Sequence, residues 1–186
     1  MQSSTERALR LVRDLLDFTQ ARLGSGIPVM RTRGDIYVYI EHAVEELRAT
    51  FPERELVLRL EGDGVGEFDG DRIAQVVHNL VTNAVKYGVN QPILIAVRGE
   101  ASQVTLTVHN QGPAIDPELV PQLFKAMQRG KHSASTRLQS VGLGLFIVDQ
   151  IALAHEGSVT VRSVAQEGTC FTVRLPRAMV DPTNAS

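Results

Sequence analysis

Residues 71–88, DRIAQVVHNLVTNAVKYG, decide the fold because they combine a buried-helix pattern with polar groups that packing alone does not need. The apolar positions recur at helical spacing and predict a wide buried stripe, formed by Ile73, Val76, Val77, Leu80, Val81, Ala84 and Val85. Asn79 and Asn83 stand one turn apart beside it, and Lys86 and Tyr87 follow. Such a helix can offer an amide oxygen to a metal ion, a cation to phosphate and an aromatic face. The residues alone also allow a structural alternative, in which the amides cap neighbouring loops and the lysine extends into solvent.

Four further motifs follow this helix in the sequence. They are HNQGPAI at 109–115, LF at 123–124, GLGLFIV at 142–148 and GTCFTVRLP at 168–176. With residues 71–88 they resemble the N, G1, F, G2 and G3 boxes of histidine-kinase catalytic domains in the GHKL ATPase superfamily, in their usual order. Five linked motifs are far more specific than one glycine pattern.

The order of predicted elements gives the fold class. Strands are predicted at 28–33, 55–62, around Phe68, and at 92–99, 103–110, 158–163 and 169–176. Helices are predicted at 4–23, at 36–50 after an Asp35 cap, at 71–88, at 116–124 and at 142–155. This pattern indicates an α+β fold: a two-layer sandwich of a mixed, mostly antiparallel sheet covered by about three helices, preceded by one long N-terminal helix.

The resemblance also suggests a division of the chain. Residues 1–26 are similar to the second helix of a dimerisation and phosphoacceptor hairpin, residues 27–178 to the ATP-binding catalytic domain with a lid at 125–141, and residues 179–186 form a tail. In the family, the phosphoacceptor histidine lies in the first hairpin helix within a motif like HELRTP. That helix would precede residue 1 here, so we expect little autophosphorylation. His42, which is followed by ELR, has the wrong spacing for that motif and is expected to be an exposed helix histidine.

Composition excludes several functions. A net charge of −2 and the lack of a basic block argue against a nucleic-acid partner. No apolar run approaches the roughly 20 residues that span a bilayer, and residues 1–10 lack a signal peptide's apolar core, so we expect a cytoplasmic location without membrane contact. The single cysteine, Cys170, lies in a predicted strand and is expected to be a packing residue.

The resemblance implies ATP and Mg²⁺ as ligands and assigns roles to individual residues. Asn83 would bind the metal, Asn79 would support phosphate or a metal-bound water, and Gln75 would orient the γ-phosphate or the incoming histidine, so that Gln75 and Asn79 are the catalytic candidates. The remaining ATP-binding candidates are Lys86, Tyr87, Asn110, Gly112, Ile115, Phe124, Arg129, Lys131, Gly142, Leu143, Gly144, Leu145 and Thr169.

The sequence departs from the family pattern at informative positions. Hydrolytic relatives carry a glutamate as general base where this chain has Asn79, and an amide cannot take a proton at neutral pH. Asn110 and Ala114 replace an aspartate and a glycine of the G1 box, and Met127 replaces a phenylalanine of the lid. The change at Asn110 weakens the expected preference for adenine. The change at Met127 leaves undecided whether the lid closes as it does in the family.

Three functions are compatible with these observations. The resemblance favours the catalytic domain of a two-component sensor histidine kinase, a homodimer through its hairpin helix that passes its phosphoryl group to a response regulator. The alternatives are a degenerate nucleotide-binding or dimer-interaction module without kinase activity and a serine protein kinase of the anti-sigma type. The hairpin-like helix at 4–23 argues against the last of these.

Overall fold

The computed structural model describes residues 4–24, 26–126 and 142–177. Its α-helices are α1 (Ser4–Arg22), α2 (Ile36–Thr50), α3 (Gly70–Tyr87) and α4 (Gly144–Ala154). Its strands are β1 (Thr32–Asp35), β2 (Leu56–Gly62), β3 (Val65–Phe68), β4 (Ile93–Gly99), β5 (Gln103–Asn110), β6 (Ser158–Val164) and β7 (Gly168–Pro176). A 3₁₀ turn spans Val120–Gln122.

The main sheet has five strands in the order β2-β4-β5-β7-β6. Only β2 and β4 are parallel, and the chain between them passes through α3, as parallel neighbours require a crossover. The other neighbours are antiparallel, and β1 pairs with β3 in a separate two-stranded sheet. The predicted α+β class and mixed sheet are therefore confirmed.

The core lies between this sheet and helices α2, α3 and α4. The predicted stripe of α3 is buried throughout except for Val85, which is partly buried. Alternate residues of β4 and β5 face it: Ile93, Ile95, Val97, Val104, Leu106 and Val108 are each at most 1% exposed. This one-sided burial leaves the polar side of α3 available for a site.

Some predicted boundaries were wrong. The strand expected at 28–33 begins at Thr32, because pairing with β3 runs only from Thr32 to Asp35. The helix expected at 142–155 begins at Gly144, since Gly142 has a φ of 73° that a right-handed helix excludes. The helix expected at 116–124 contains only the 3₁₀ turn, and Asp116 instead accepts a hydrogen bond from the Glu118 amide at 3.0 Å. The predicted tail at 179–186 lies outside the described residues.

Candidate functional site

The C-terminal end of α3 packs directly on the turn that follows β5. The Val89 amide donates to the Gln111 carbonyl at 2.9 Å. A Cβ added at Gly112 would lie 3.0 Å from the Tyr87 carbonyl oxygen, and one at Gly88 would lie 2.9 Å from Asn110 Nδ2. The structure thus brings the predicted residues Asn110 and Gly112 to the end of the helix that carries Asn79 and Asn83.

Asn110 is buried at this junction, with 5% of its surface exposed. Its Nδ2 donates to the Gln111 carbonyl at 3.2 Å. Because a backbone carbonyl only accepts, this contact selects the amide orientation and leaves the Asn110 side-chain oxygen as an acceptor for a ligand. An asparagine can therefore still receive a hydrogen bond from an exocyclic amino group.

Gly168 closes the junction from the neighbouring strand. Its φ is 84°, and an added Cβ would lie 2.3 Å from the Asn110 carbonyl oxygen. A side chain would need both a left-handed backbone and space that Asn110 occupies, so only glycine fits. Asn110 is paired in register with Thr169, which is itself 6% exposed.

Ser163 is a residue that the sequence analysis missed. Its hydroxyl accepts from the Ile115 amide at 2.9 Å and lies 2.7 Å from Thr169 Oγ1. It thereby joins two predicted residues, Ile115 and Thr169, from different parts of the chain. No motif contains Ser163, so only the pairing of β6 with β7 reveals the link.

The glycine turn before α4 meets the middle of α3. A Cβ added at Gly144 would lie 3.5 Å from both Cγ and Oδ1 of the Asn79 side-chain amide. Asn79 Nδ2 is buried and has no hydrogen-bond partner within the described residues. The first turn of α4 has no side-chain cap, which leaves helix amides and the positive end of its dipole beside this amide. The arrangement suits an anionic ligand that also accepts hydrogen bonds.

The remaining predicted ATP-binding side chains range from exposed to buried. The Lys86 amine lies 4.8 Å from the centre of the Tyr87 ring, and Tyr87 is 54% exposed. Leu143 is 2% exposed, so only its backbone can reach a ligand. Leu145 and Phe124 pack against the core, and the Phe124 ring stands edge-on to Phe171 at 6.4 Å. Arg129 and Lys131, like Met127, lie outside the described residues.

Gln75 is placed differently from the other catalytic candidate. Its side-chain oxygen accepts from Arg72 Nη1 at 2.8 Å, and its Nε2 donates to Asp17 of α1 at 2.9 Å. Both ends of the amide are therefore engaged between helices α1 and α3. Its role at a γ-phosphate stays a prediction, and the observed contacts show a second role in holding α1.

A buried histidine supports the N-terminal end of α3. His155 is 1% exposed, its Nδ1 is 2.9 Å from the Ile151 carbonyl, and its Nε2 accepts from the Asp69 amide at 3.1 Å. Burial lowers the pKa of His155, and this effect outweighs the hydrogen bond to the Ile151 carbonyl, which raises the pKa. The neutral imidazole therefore links the end of α4 to Asp69, whose carboxylate caps α3 through the Arg72 amide at 3.1 Å.

The described residues lack two features that would indicate other classes of site. No group of three or more His, Cys, Asp and Glu side chains there could hold a metal ion. No helix in that part of the chain is both long and apolar enough to span a membrane.

The chain matches the family model described as "Histidine kinase-, DNA gyrase B-, and HSP90-like ATPase" over residues 68–179. It is 37% identical to the probable sensor histidine kinase TcrY of Mycobacterium tuberculosis, over 99% of this chain and 38% of that protein. It is 29% identical to the sensor histidine kinase WalK of Bacillus subtilis, over 94% of this chain and 29% of that protein. The chain thus spans well under half the length of these curated relatives.

Solved structures share this architecture. The histidine kinase AdeS of Acinetobacter baumannii superposes with a TM-score of 0.73 at 22% identity, covering 93% of this chain and 80% of that one, which shows the fold alone. Full-length ShkA in complex with AMPPNP gives a TM-score of 0.75 at 26% identity, covering 91% of this chain and 35% of that one. With the family match, these findings show that the chain belongs to the histidine kinase-, DNA gyrase B- and HSP90-like ATPase family, as a catalytic ATP-binding domain of the histidine kinase type.

Proposed function

We propose that this domain binds Mg²⁺-ATP along α3 and transfers the γ-phosphoryl group to a histidine on a dimerisation hairpin. The observation that carries the proposal is the Asn79 amide nitrogen, which is buried without a hydrogen-bond partner in the described part of the chain and lies near the uncapped first turn of α4 at Gly144. A buried donor without an acceptor is costly unless a ligand completes it. A phosphate oxygen is an acceptor of the required kind.

Asn83 is the proposed magnesium ligand. It lies one helical turn beyond Asn79 and is partly buried, between the phosphate contact at Gly144 and the base contact at Gly112. Mg²⁺ commonly keeps several waters and takes one or two protein oxygens plus phosphate oxygens, so a single amide oxygen fits it. The ion would neutralise charge on the phosphates.

The amide at position 79 favours phosphoryl transfer over hydrolysis. Water needs a base to remove its proton, and neither Asn79 nor Asn83 can serve. A neutral imidazole attacks with its own lone pair: the new N–P bond forms as the P–O bond to ADP breaks. The site would therefore bind ATP, hydrolyse it slowly and donate phosphate to histidine.

The partners follow from the same proposal. Helix α1 carries Leu9, Val12 and Leu16 along one side, each more than half exposed, which suits the dimer interface of a hairpin. The phosphohistidine would then pass its phosphoryl group to an aspartate of a response regulator. The proposed location is the cytoplasm, where ATP is supplied.

Calorimetry with Mg²⁺-ATP tests the site. We expect saturable binding by the wild-type chain and loss of its magnesium-dependent part in Asn83→Ala, without a change in the thermal midpoint. Asn90→Ala, which removes an exposed amide outside the helix, is the matched control and should bind normally. Binding by Asn83→Ala with unaltered magnesium dependence would show that the metal lies elsewhere, and no binding by the wild type would refute the proposal.

A separately expressed helical hairpin with an HELRTP-type histidine motif tests the reaction. After incubation with γ-labelled ATP, we expect an acid-labile label on the hairpin, as an N–P bond predicts. An acid-stable label would instead indicate a serine or threonine acceptor.

A further inference from the structure

Helix α1 has an inverted pattern of burial. Leu9, Val12, Leu15 and Leu16 are between 52% and 64% exposed, whereas Asp17 is only 3% exposed. A carboxylate is rarely buried without a charged or hydrogen-bonding partner. The burial of Asp17 therefore indicates a specific contact rather than nonspecific packing.

That contact is made with the first turns of α3. Arg72 Nη1 donates to both oxygens of Asp17, at 2.9 and 2.8 Å, and Gln75 Nε2 donates to one of them at 2.9 Å. The carboxylate thus receives hydrogen bonds from two side chains of one helix face. Such a charge-assisted arrangement fixes orientation as well as distance.

A second contact ties α1 to the glycine turn of the site. The ring of Phe18 meets the ring of Phe146 edge-on at 5.7 Å, and Arg22 lies 5.5 Å from the centre of the Phe18 ring. Phe146 is in the first turn of α4, two positions after Gly144. Helix α1 therefore touches both elements that would hold the phosphates.

The order of contacts along α3 shows which end of the site α1 covers. Tyr87 and Gly88 lie beside Gly112, at the proposed nucleobase end of the site, which is called the base end below. Asn79 lies near Gly144, at the proposed phosphate end. Gln75 lies one further turn in the same direction and meets Asp17. Helix α1 thus lies just beyond the phosphate end, on the side from which an acceptor for the γ-phosphoryl group has to approach.

We propose that Asp17, Arg72 and Gln75 form an ionic latch, and that this latch holds α1 across the phosphate end until it opens to admit the acceptor. In this proposal Gln75 is a positioning residue that holds α1 against α3. The inference rests on the proposed function. This ion pair is suited to act as a switch. If Arg72 moves away, the Asp17 carboxylate is left buried without a compensating charge, so the pair is either fully formed or fully separated.

Asp17→Asn tests the latch because it keeps the shape of the side chain and removes its charge. Hydrogen exchange should show α1 amides exchanging about tenfold faster, as the loss of charge-assisted hydrogen bonds predicts, with α2 and β5 unchanged. Transfer of label from Mg²⁺-ATP to the separately expressed hairpin should rise by a similar factor. Mg²⁺-ATP affinity should stay the same, since Asp17 is outside the nucleotide contacts.

Two further variants complete the design. Gln75→Ala removes one hydrogen bond to Asp17 and should raise the exchange rate of the α1 amides by a smaller factor, about threefold. Asp71→Asn removes an exposed acid next to Arg72 and should change neither the exchange of α1 nor the transfer of label.

The results separate failure of the latch from failure of the proposed function. Absence of saturable Mg²⁺-ATP binding by the wild type would refute the proposed function. If the wild type and Asp17→Asn both bind Mg²⁺-ATP but the variant transfers no faster, the latch proposal is overturned, whether or not α1 exchanges faster. Unchanged exchange of α1 in Asp17→Asn would overturn it as well.

Discussion

The two ends of α3 are fixed by opposite means. At the C-terminal end, backbone atoms of neighbouring segments approach closely: an added Cβ would lie 2.3 Å from the Asn110 carbonyl oxygen at Gly168, 3.0 Å from the Tyr87 carbonyl oxygen at Gly112 and 3.1 Å from the Gln111 carbonyl oxygen at Gly88. At the N-terminal end, charged and polar side chains make the contacts. Arg72 and Gln75 bond to each other and to Asp17. The Asp69 carboxylate accepts from the Arg72 amide, and the Asp69 amide donates to His155.

This difference separates a rigid end from an adjustable one. Steric contacts between backbone segments do not depend on pH or on a partner, so the base end of the site is preformed. A network of charges can open when one member is neutralised, replaced or drawn to another partner. Asn79, the proposed phosphate contact, lies between the two ends, and its amide nitrogen lacks an acceptor within the described residues.

Gly168→Ala should have the largest effect on stability, because it introduces a side chain into the closely packed rigid end. The added Cβ would lie 2.3 Å from the Asn110 carbonyl oxygen at a φ of 84°. Strain and overpacking together should lower the free energy of unfolding by about 3 kcal/mol, measured by urea denaturation. Nucleotide affinity should fall with it, because Asn110 has to move.

Gly24→Ala is the matched control for that variant. Gly24 has the same φ of 84°, but an added Cβ there would have no atom within 4 Å. It should cost only the backbone strain, about 1 kcal/mol. Equal losses in the two variants would show that the close approach to Asn110 contributes nothing.

Asn79→Ala should separate binding from stability. The Asn79 amide nitrogen is buried without a partner in the described part of the chain, so its removal should leave the thermal midpoint unchanged within about 2 °C. Calorimetry should show Mg²⁺-ATP affinity weakened by about 2 kcal/mol, the value of a hydrogen bond to a charged group. A large loss of stability with normal affinity would mean that Asn79 supports the fold rather than the ligand.

The sequence predicted the rigid end better than the adjustable one. The stripe of α3, the paired strands β4 and β5, and the positions of Asn110 and Gly112 follow from periodicity and motif spacing, which are local properties. The resemblance implied that Asn79 and Gly144 share one site, and in the structure a Cβ added at Gly144 would lie 3.5 Å from Asn79 Oδ1.

What the sequence could not show are contacts between distant segments. Asp17 is separated from Arg72 by 55 positions and His155 from Asp69 by 86, and nothing in their local patterns distinguishes them from surface residues. The same applies to Ser163, which is recognisable only once β6 is paired with β7. The shift of the first predicted strand has a related cause, since β1 is defined by its partner β3 rather than by its own residues.

His155 should make the adjustable end sensitive to pH. Its pKa in the folded chain lies below the ordinary value of 6.5 because burial opposes the charged form. The unfolded chain therefore takes up the proton first as the pH falls, so stability is complete above about pH 6.5 and is lost progressively below it. Of the groups that face the ring, Arg31 and Arg72 also lower the pKa of His155, whereas the Ile151 carbonyl and Asp69 raise it without reversing the effect of burial.

Thermal denaturation at pH 7.5 and pH 5.5 measures this dependence. We expect the midpoint of the wild type to fall by about 3 °C more than that of His155→Gln, in which an uncharged amide oxygen can still accept from the Asp69 amide. Identical shifts in both proteins would show that other groups determine the pH dependence. Gly168→Ala should keep the wild-type difference, because it leaves His155 and its contacts with Asp69 and Ile151 in place.

Asn110→Asp should have the smallest effect, although it restores the acid expected from the family pattern. A carboxylate would accept more strongly from an exocyclic amino group, but it would lose the 3.2 Å bond to the Gln111 carbonyl and place a negative charge beside that acceptor. The two effects oppose each other, so Mg²⁺-ATP affinity should change by less than about threefold, with Asn90→Asp as the exposed control for the added charge. A gain of tenfold or more would mean that the Gln111 contact does not orient Asn110, and that the base end is less completely preformed than its glycine contacts indicate.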